Sequence, residues 1–182
     1  MKTSIITIVS AVALCCCARV SAQAPAMPEP VKEHEFLKQF AGEWTVETQL
    51  FMEPGKPPVT VKGTESAKML GGFWVVGETK CEMMGQPFTG IMSLGYDPEK
   101  KKYTGTWIDS MTSTLWTYTG SVDETGKILT LECAGKCPMD GKFYQMRDTT
   151  EWKSPDQRVM KNERKGEDGK WVTGMTSTAT RK

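Results

Sequence analysis

Short runs in which apolar and polar residues alternate fill almost the whole chain after Gly42, and this period of two constrains the fold more than any other feature. The first run, 43–52, places Trp44, Val46 and Thr48 on one face of a strand. Turn sequences such as Asp97-Pro98 separate the runs. Since connections this short cannot hold a crossover helix, antiparallel pairing in chain order is predicted. Further strands are expected near 59–69, 73–83, 87–95, 102–110, 114–122, 127–134, 142–152, 157–165 and 170–180.

One helical segment precedes the strands. Pro30 suits a helix start, Glu33 lies in the predicted first turn, and Leu37 and Phe40 can share an apolar side before Gly42 ends the segment. About ten strands in one sheet should close on themselves, because closure removes exposed edges. The expected fold is therefore all-β: a closed antiparallel up-and-down β-barrel of about ten strands with one short N-terminal capping helix.

The N-terminus has the pattern of a signal peptide. Lys2 precedes an uncharged apolar run from Ile5 to Cys17, and small residues at Val20-Ser21-Ala22 suit cleavage. The run is shorter than the roughly 20 residues that span a bilayer. We expect a signal peptide at 1–22, a flexible leader at 23–31, one domain at 32–182, and export to the periplasm or medium without a transmembrane segment. Lipid attachment within Cys15-Cys16-Cys17 is the minor alternative.

The charge of the mature chain argues against nucleic acid as a partner. Cleavage after Ala22 removes Lys2 and Arg19 and no acid, which leaves 21 Lys and Arg against 22 Asp and Glu, a net charge of −1. Nucleic-acid binding needs a clustered basic excess, and only the run Lys100–Lys102 offers one. This run is most simply a solvated turn.

Three cysteines, Cys81, Cys133 and Cys137, remain after cleavage. An oxidising compartment favours one disulfide with one thiol left over. Cys133 and Cys137 could close the small loop between them, and a bond between Cys81 and Cys133 is equally allowed by the sequence. Buried apolar thiols are the remaining structural explanation.

Five segments of the chain form a distinctive set of motifs: His34 to Trp44, Leu70-Gly71-Gly72-Phe73-Trp74, Gly95-Tyr96-Asp97-Pro98, Tyr103-x-x-x-Trp107-x-Asp109-Ser110 and the closing Arg181-Lys182. Through these segments, residues 32–182 resemble the bacterial domain-of-unknown-function family 1579. The resemblance implies a lipocalin-like calycin barrel that binds a small apolar or amphipathic molecule. It implies no established activity and supplies no catalytic residues.

Strand parity selects the candidate ligand-binding residues. Tyr103, Trp107 and Asp109 share one face of the strand at 102–110, which suits an apolar pocket with one orienting polar group; Trp44 adds an aromatic ring on the first strand. In the alternative interpretation Trp107 is ordinary core and Asp109 caps a turn. Arg147 is the candidate counter-charge: facing inward it could receive a ligand carboxylate, and facing outward it would be solvated.

Catalytic and metal sites have little support in the sequence. His34, the one histidine, lies on the predicted helix rather than on a strand, which argues against haem, zinc and a hydrolase triad. No catalytic residue, metal or cofactor is therefore expected, and Asp109 is the one acid that an isomerase-like enzyme could use. A Cu(I)-handling protein is a further alternative, because Met83 and Met84 lie close to Cys81 and soft sulfur ligands suit Cu(I).

The function expected from these patterns is binding of a small hydrophobic or amphipathic ligand in the lumen of an exported barrel. The alternative from another class is a filled barrel that acts as a structural or interaction module. The state of the lumen separates the two hypotheses, because a lumen plugged by Trp44, Trp74, Trp107 and Trp116 would leave no room for a ligand.

Overall fold

The computed structural model describes residues 27–53, 55–137 and 140–182, and the predicted signal peptide lies outside them. Helix α1 spans Lys32–Leu37 and continues as a 3-10 turn over Lys38–Phe40. The ten strands have the following bounds: β1 Gly42–Leu50, β2 Val59–Leu70, β3 Trp74–Met83, β4 Gln86–Asp97, β5 Lys102–Asp109, β6 Trp116–Val122, β7 Ile128–Lys136, β8 Phe143–Ser154, β9 Gln157–Lys165 and β10 Trp171–Arg181.

The strands form one closed barrel, as the sequence predicts. Each strand pairs antiparallel with the next one in the chain, and β1 closes the barrel by pairing with β10. In this closing register Trp44 lies opposite Arg181, and Leu50 lies opposite Met175. The predicted up-and-down order is therefore confirmed, and helix α1 precedes the barrel.

Helix α1 and the turn that follows it close the end of the barrel at which β1 begins. Leu37 and Phe40 are buried there, at 0 % and 4 % exposure. The Tyr103 hydroxyl donates a hydrogen bond to the Glu33 carbonyl (2.9 Å), and the Trp44 indole N–H donates to the Phe40 carbonyl (2.9 Å). Buried rings and paired polar groups thus fix this closed end, and the lumen above it extends toward the opposite end. Within the described residues, no helix has the length and apolar character needed to cross a membrane.

Candidate functional site

A cavity of about 390 Å³ lies inside the barrel, and residues from all ten strands line it. Most of its wall is apolar, as at Val46, Leu131, Met160 and Ala179. Sites for small molecules have volumes of about 300–1,000 Å³ and walls of this character. The barrel therefore contains an interior space of the size and chemistry of a small-molecule site.

The tryptophans leave this space open. The Trp107 ring packs against Gly90, where an added Cβ would come within 2.2 Å of the ring, and Trp116 packs against Gly135, where the corresponding distance is 2.7 Å. A glycine at each position lets the ring lie against the wall instead of filling the lumen. Trp44 is fully buried at the closed end and Trp74 is 39 % exposed, so neither of them plugs the lumen.

A buried arginine lies at the closed end of the cavity, which we call the floor. Arg158 borders the cavity, is 5 % exposed, and donates from Nη2 to Glu65 Oε1 at 2.5 Å. Its guanidinium carbon lies 4.3 Å from the centre of the Trp44 ring, and that of Arg181 lies 4.1 Å from it. Burial lowers the pKa of Arg158, and the charge of Glu65 offsets this effect in part. The floor is therefore a desolvated, charged region enclosed by aromatic rings.

A second polar group lies higher in the lumen, where Asp148 and Asn162 are opposite each other on β8 and β9. Asn162 Nδ2 donates to Asp148 Oδ1 at 2.6 Å. Burial raises the pKa of Asp148 despite the hydrogen bonds from Asn162 and Tyr118. Burial also raises the pKa of the neighbouring Cys133 thiol, to about 11. Both shifts act in favour of the uncharged forms, and the Asp148–Asn162 hydrogen bond gives the lumen a second polar position.

The predicted residues of the strand at 102–110 share a face but lie at different levels. Trp107 lines the cavity. Tyr103 is buried lower down under helix α1, and burial raises its pKa to about 12. Asp109 is the last residue of β5, opposite Gly90 of β4, and its Oδ1 accepts from the backbone N–H groups of Met111 and Thr112, both at 2.9 Å. Its Oδ2 accepts from the Trp107 indole at 3.2 Å. Asp109 thus caps a turn and orients a wall residue.

Arg147 does not face the lumen, and the inward orientation considered for it is wrong. Met146, Asp148 and Thr150 are the residues of β8 that line the cavity, so the alternation of the strand turns Arg147 outward. There Arg147 Nε donates to Glu163 Oε2 at 2.7 Å, and its guanidinium carbon lies 4.3 Å from the Trp171 ring centre. Arg147 belongs to an outer ion pair, and the arginine at the cavity is Arg158.

The structure has no disulfide at the pairing considered between Cys133 and Cys137, and the three described cysteines are free. Cys133 lies within strand β7, which continues to Lys136. Four extended residues span ~13 Å, whereas a disulfide needs Cα atoms within about 7 Å. The alternative bond between Cys81 and Cys133 is absent as well.

The candidate metal-binding residues are dispersed. Cys81 and Met83 line the lumen, but Met84 lies in the following turn and is 64 % exposed. His34 is buried on α1, where its Nδ1 accepts from the Val31 backbone N–H at 2.9 Å. Over the described part of the chain, no three His, Cys, Asp or Glu residues are grouped so that they could hold a metal ion.

Solved structures with a similar fold share little sequence with this chain. The structure of Rv2717c from M. tuberculosis is 11 % identical, with a TM-score of 0.56 and coverage of 85 % of this chain and 99 % of the other. The S-type phycobiliprotein lyase CPES from Guillardia theta is 14 % identical, with a TM-score of 0.54 and coverage of 84 % and 93 %. At these identities the likeness concerns the fold alone. No curated protein matches the chain.

The family comparison agrees with the motifs along the sequence. The profile of the family described as "Protein of unknown function (DUF1579)" matches residues 29–181, which include α1 and all ten strands. The chain therefore belongs to the DUF1579 family.

Proposed function

We propose that the protein binds a small, mostly apolar or amphipathic molecule in the lumen of its barrel. The observation that carries the proposal is the cavity of about 390 Å³ with a wall contributed by every strand. A filled structural barrel would hold side chains in this space, whereas here Trp107 and Trp116 pack against glycines of the wall and the cavity between the strands remains. The proposal makes no use of catalysis, since Asp109 is engaged by backbone donors of a turn.

The energetics of the wall favour such a ligand. Burial of apolar surface contributes about 25 cal/mol per Å², and a continuous hydrogen-bonded barrel holds the wall in place before the ligand arrives. The charged and amide side chains of the lumen are localised, at Arg158 with Glu65 and at Asp148 with Asn162. Hydroxyl groups are distributed over the rest of the wall, and some of them pair with each other, as Thr48 does with Ser177. A molecule with an apolar body and one or two polar groups matches this distribution.

Two tryptophan substitutions at consecutive positions of β10 provide a matched test. Ser177 lines the cavity, whereas Thr178 alternates to the outer face. Ser177→Trp is therefore expected to fill the lumen, and Thr178→Trp adds the same ring outside it. Each protein is purified from bacterial cells, exposed to a bacterial lipid and metabolite extract, and weighed by native and by denaturing mass spectrometry.

A discrete added mass that is lost on denaturation is expected for the wild type and for Thr178→Trp, and is expected to be missing for Ser177→Trp. An added mass retained by Ser177→Trp would place the ligand outside the lumen. Bare protein in all three samples would favour the filled structural barrel instead. The exact added mass identifies the chemical class of the ligand.

We also infer that the chain is exported. The support is the order of Lys2, the apolar run from Ile5 to Cys17 and the small residues that end at Ala22. When the full chain is expressed in a bacterial host, the periplasmic fraction is expected to yield the mass of residues 23–182. Full-length protein confined to the cytosol would contradict export, and an acylated mass that begins at one of the three adjacent cysteines would indicate a lipoprotein.

A further inference from the structure

Two buried nitrogen donors at the floor of the lumen lack an acceptor. Within the described residues, Nη1 of Arg158 and Nε1 of Trp152 have no hydrogen-bond partner. Both side chains are well covered, since the residues are 5 % and 6 % exposed. Buried donors in native proteins are nearly always paired, so two unpaired donors indicate an acceptor that comes from outside the chain.

The two donors belong to one place in the barrel. Trp152 on β8 and Arg158 on β9 are direct cross-strand partners. The guanidinium carbon of Arg158 lies 5.5 Å from the centre of the Trp152 ring, and Arg158 borders the cavity. The two unpaired donors therefore belong to neighbouring side chains, and one of these side chains, Arg158, borders the cavity.

The charges around the floor favour a negative group. Arg158 and Arg181 both stack on Trp44, whereas Glu65 is the carboxylate paired with Arg158. The acidic partner of Arg181 is Asp156, whose side chain is 72 % exposed, so water screens this pair. Burial is the main cause that lowers the pKa of Arg158; Glu65 opposes this effect, and the charge of Arg181 adds to it. Two arginines therefore share one largely buried carboxylate at the floor.

We propose that the floor of the lumen binds the carboxylate of an amphipathic ligand, with Arg158 and Trp152 donating hydrogen bonds to its oxygens. The inference rests on the proposed function, because it assigns the polar end of the molecule that the lumen holds. Arginine presents donors in a planar fork that fits a carboxylate. The apolar body of the ligand then extends past Met160 toward Trp107 and Trp116, all of which line the cavity.

The test compares two molecules that differ only at the polar end. Decanoic acid and methyl decanoate are titrated into the wild-type protein, and binding is followed by the fluorescence of the lumenal tryptophans and by native mass spectrometry. The acid is expected to bind about tenfold more tightly or better, the effect of hydrogen bonds to a charged group. Equal binding of both molecules would overturn the carboxylate inference and leave the lumenal site standing.

Three variants test which side chains cause the preference for decanoic acid over methyl decanoate. Arg158→Met is expected to abolish it, and Trp152→Phe, which keeps an aromatic ring but removes the N–H, is expected to reduce it severalfold. Arg147→Met is the matched control, because it also removes an arginine paired with a glutamate, but on the outer face. A preference that survives in Trp152→Phe and Arg158→Met would overturn the assignment of the donors.

The comparison of decanoic acid with methyl decanoate on the wild-type protein tests the carboxylate inference even if Arg158→Met fails to fold. If neither molecule binds the wild type, the carboxylate inference is overturned. The lumenal site is then judged separately by the added mass found with the wild type and lost with Ser177→Trp. Failure of the inference and failure of the proposed function therefore give different results.

Discussion

Replacement of Asp148 by asparagine should make the protein more stable at neutral pH. Asp148 lies in the wall of the lumen, where burial raises the pKa of its carboxyl group. Ionisation is thus harder in the folded protein than in the unfolded chain. The contribution of Asp148 to stability is complete below the unfolded pKa and is lost as pH rises through the folded pKa. The variant Asp148→Asn keeps the shape of the side chain and cannot ionise.

The size of the effect follows from proton linkage. In the pH interval between the unfolded pKa of about 3.9 and the raised folded pKa, the wild type loses up to about 1.4 kcal/mol of unfolding free energy per pH unit through this one group. The unfolding free energy of Asp148→Asn does not decrease with pH through this position, because the amide cannot ionise. Its amide oxygen can still accept the hydrogen bond that Asn162 Nδ2 donates at 2.6 Å, so the local contact is preserved.

The assay is urea denaturation of both ligand-free proteins from pH 4 to pH 8, analysed by linear extrapolation. The difference in unfolding free energy, variant minus wild type, is expected to rise with pH and then level off. Titration of other groups, such as Glu163, occurs in both proteins and cancels in the difference. A difference that stays constant or falls with pH would refute the reasoning, because Asp148 would then ionise as readily in the fold as in the unfolded chain.

Four further outcomes are expected. Leu94→Ala, at a site with 1 % exposure, should lower the unfolding free energy by about 2–5 kcal/mol in urea titrations. Asp109→Ala should lower the free energy of unfolding by about 0.5–2 kcal/mol through the lost turn hydrogen bonds. Its binding of decanoic acid should stay unchanged in fluorescence titrations. Loss of binding at unchanged stability would instead show that Asp109 belongs to the ligand site. The described thiols are free, so alkylation of denatured, unreduced mature protein should add three groups by mass, and a single added group would reveal a disulfide. The double variant Arg158→Met with Glu65→Leu should have a free energy of unfolding, measured in urea, equal to or above that of the wild type, and it should lose the preference for decanoic acid over methyl decanoate. A free energy of unfolding several kcal/mol below that of the wild type would show that the ion pair stabilises the fold.

The strands were predictable because turn sequences separate them and most of them have a period of two. Strand β9 occupies Gln157–Lys165, as predicted, and the antiparallel order follows from connections too short for helices. Strand parity predicts the face of the sheet on which a side chain lies, but not its position along the barrel axis. Tyr103, Trp107 and Asp109 share a face, yet six extended residues span ~20 Å. Tyr103 therefore lies beneath the cavity, Trp107 lies beside it, and Asp109 lies at the end of β5 next to a turn.

The charged residues of the site were harder to predict because the relevant strands carry polar residues on both faces. On β8, Arg147 alternates with Asp148, and on β9 Arg158 shares a face with Met160 while Lys161 lies on the other. Without an apolar face as a reference, alternation does not say which arginine turns inward. The answer depends on the register of the closed barrel, in which Trp152 pairs with Arg158 and Asp148 pairs with Asn162.

The Arg158–Glu65 pair itself argues that the floor serves a purpose other than stability. Desolvation makes a buried ion pair costly, and apolar replacements of similar volume are often neutral or stabilising by about 1–4 kcal/mol. The surroundings of Arg158 already supply apolar packing from Phe40, Trp44 and Trp152, so a methionine would find contacts at the same place. An arginine with one paired and one unpaired nitrogen is a poor way to fill this space. The unpaired nitrogen of Arg158 gains a hydrogen-bond partner when the lumen binds a molecule that carries an acceptor.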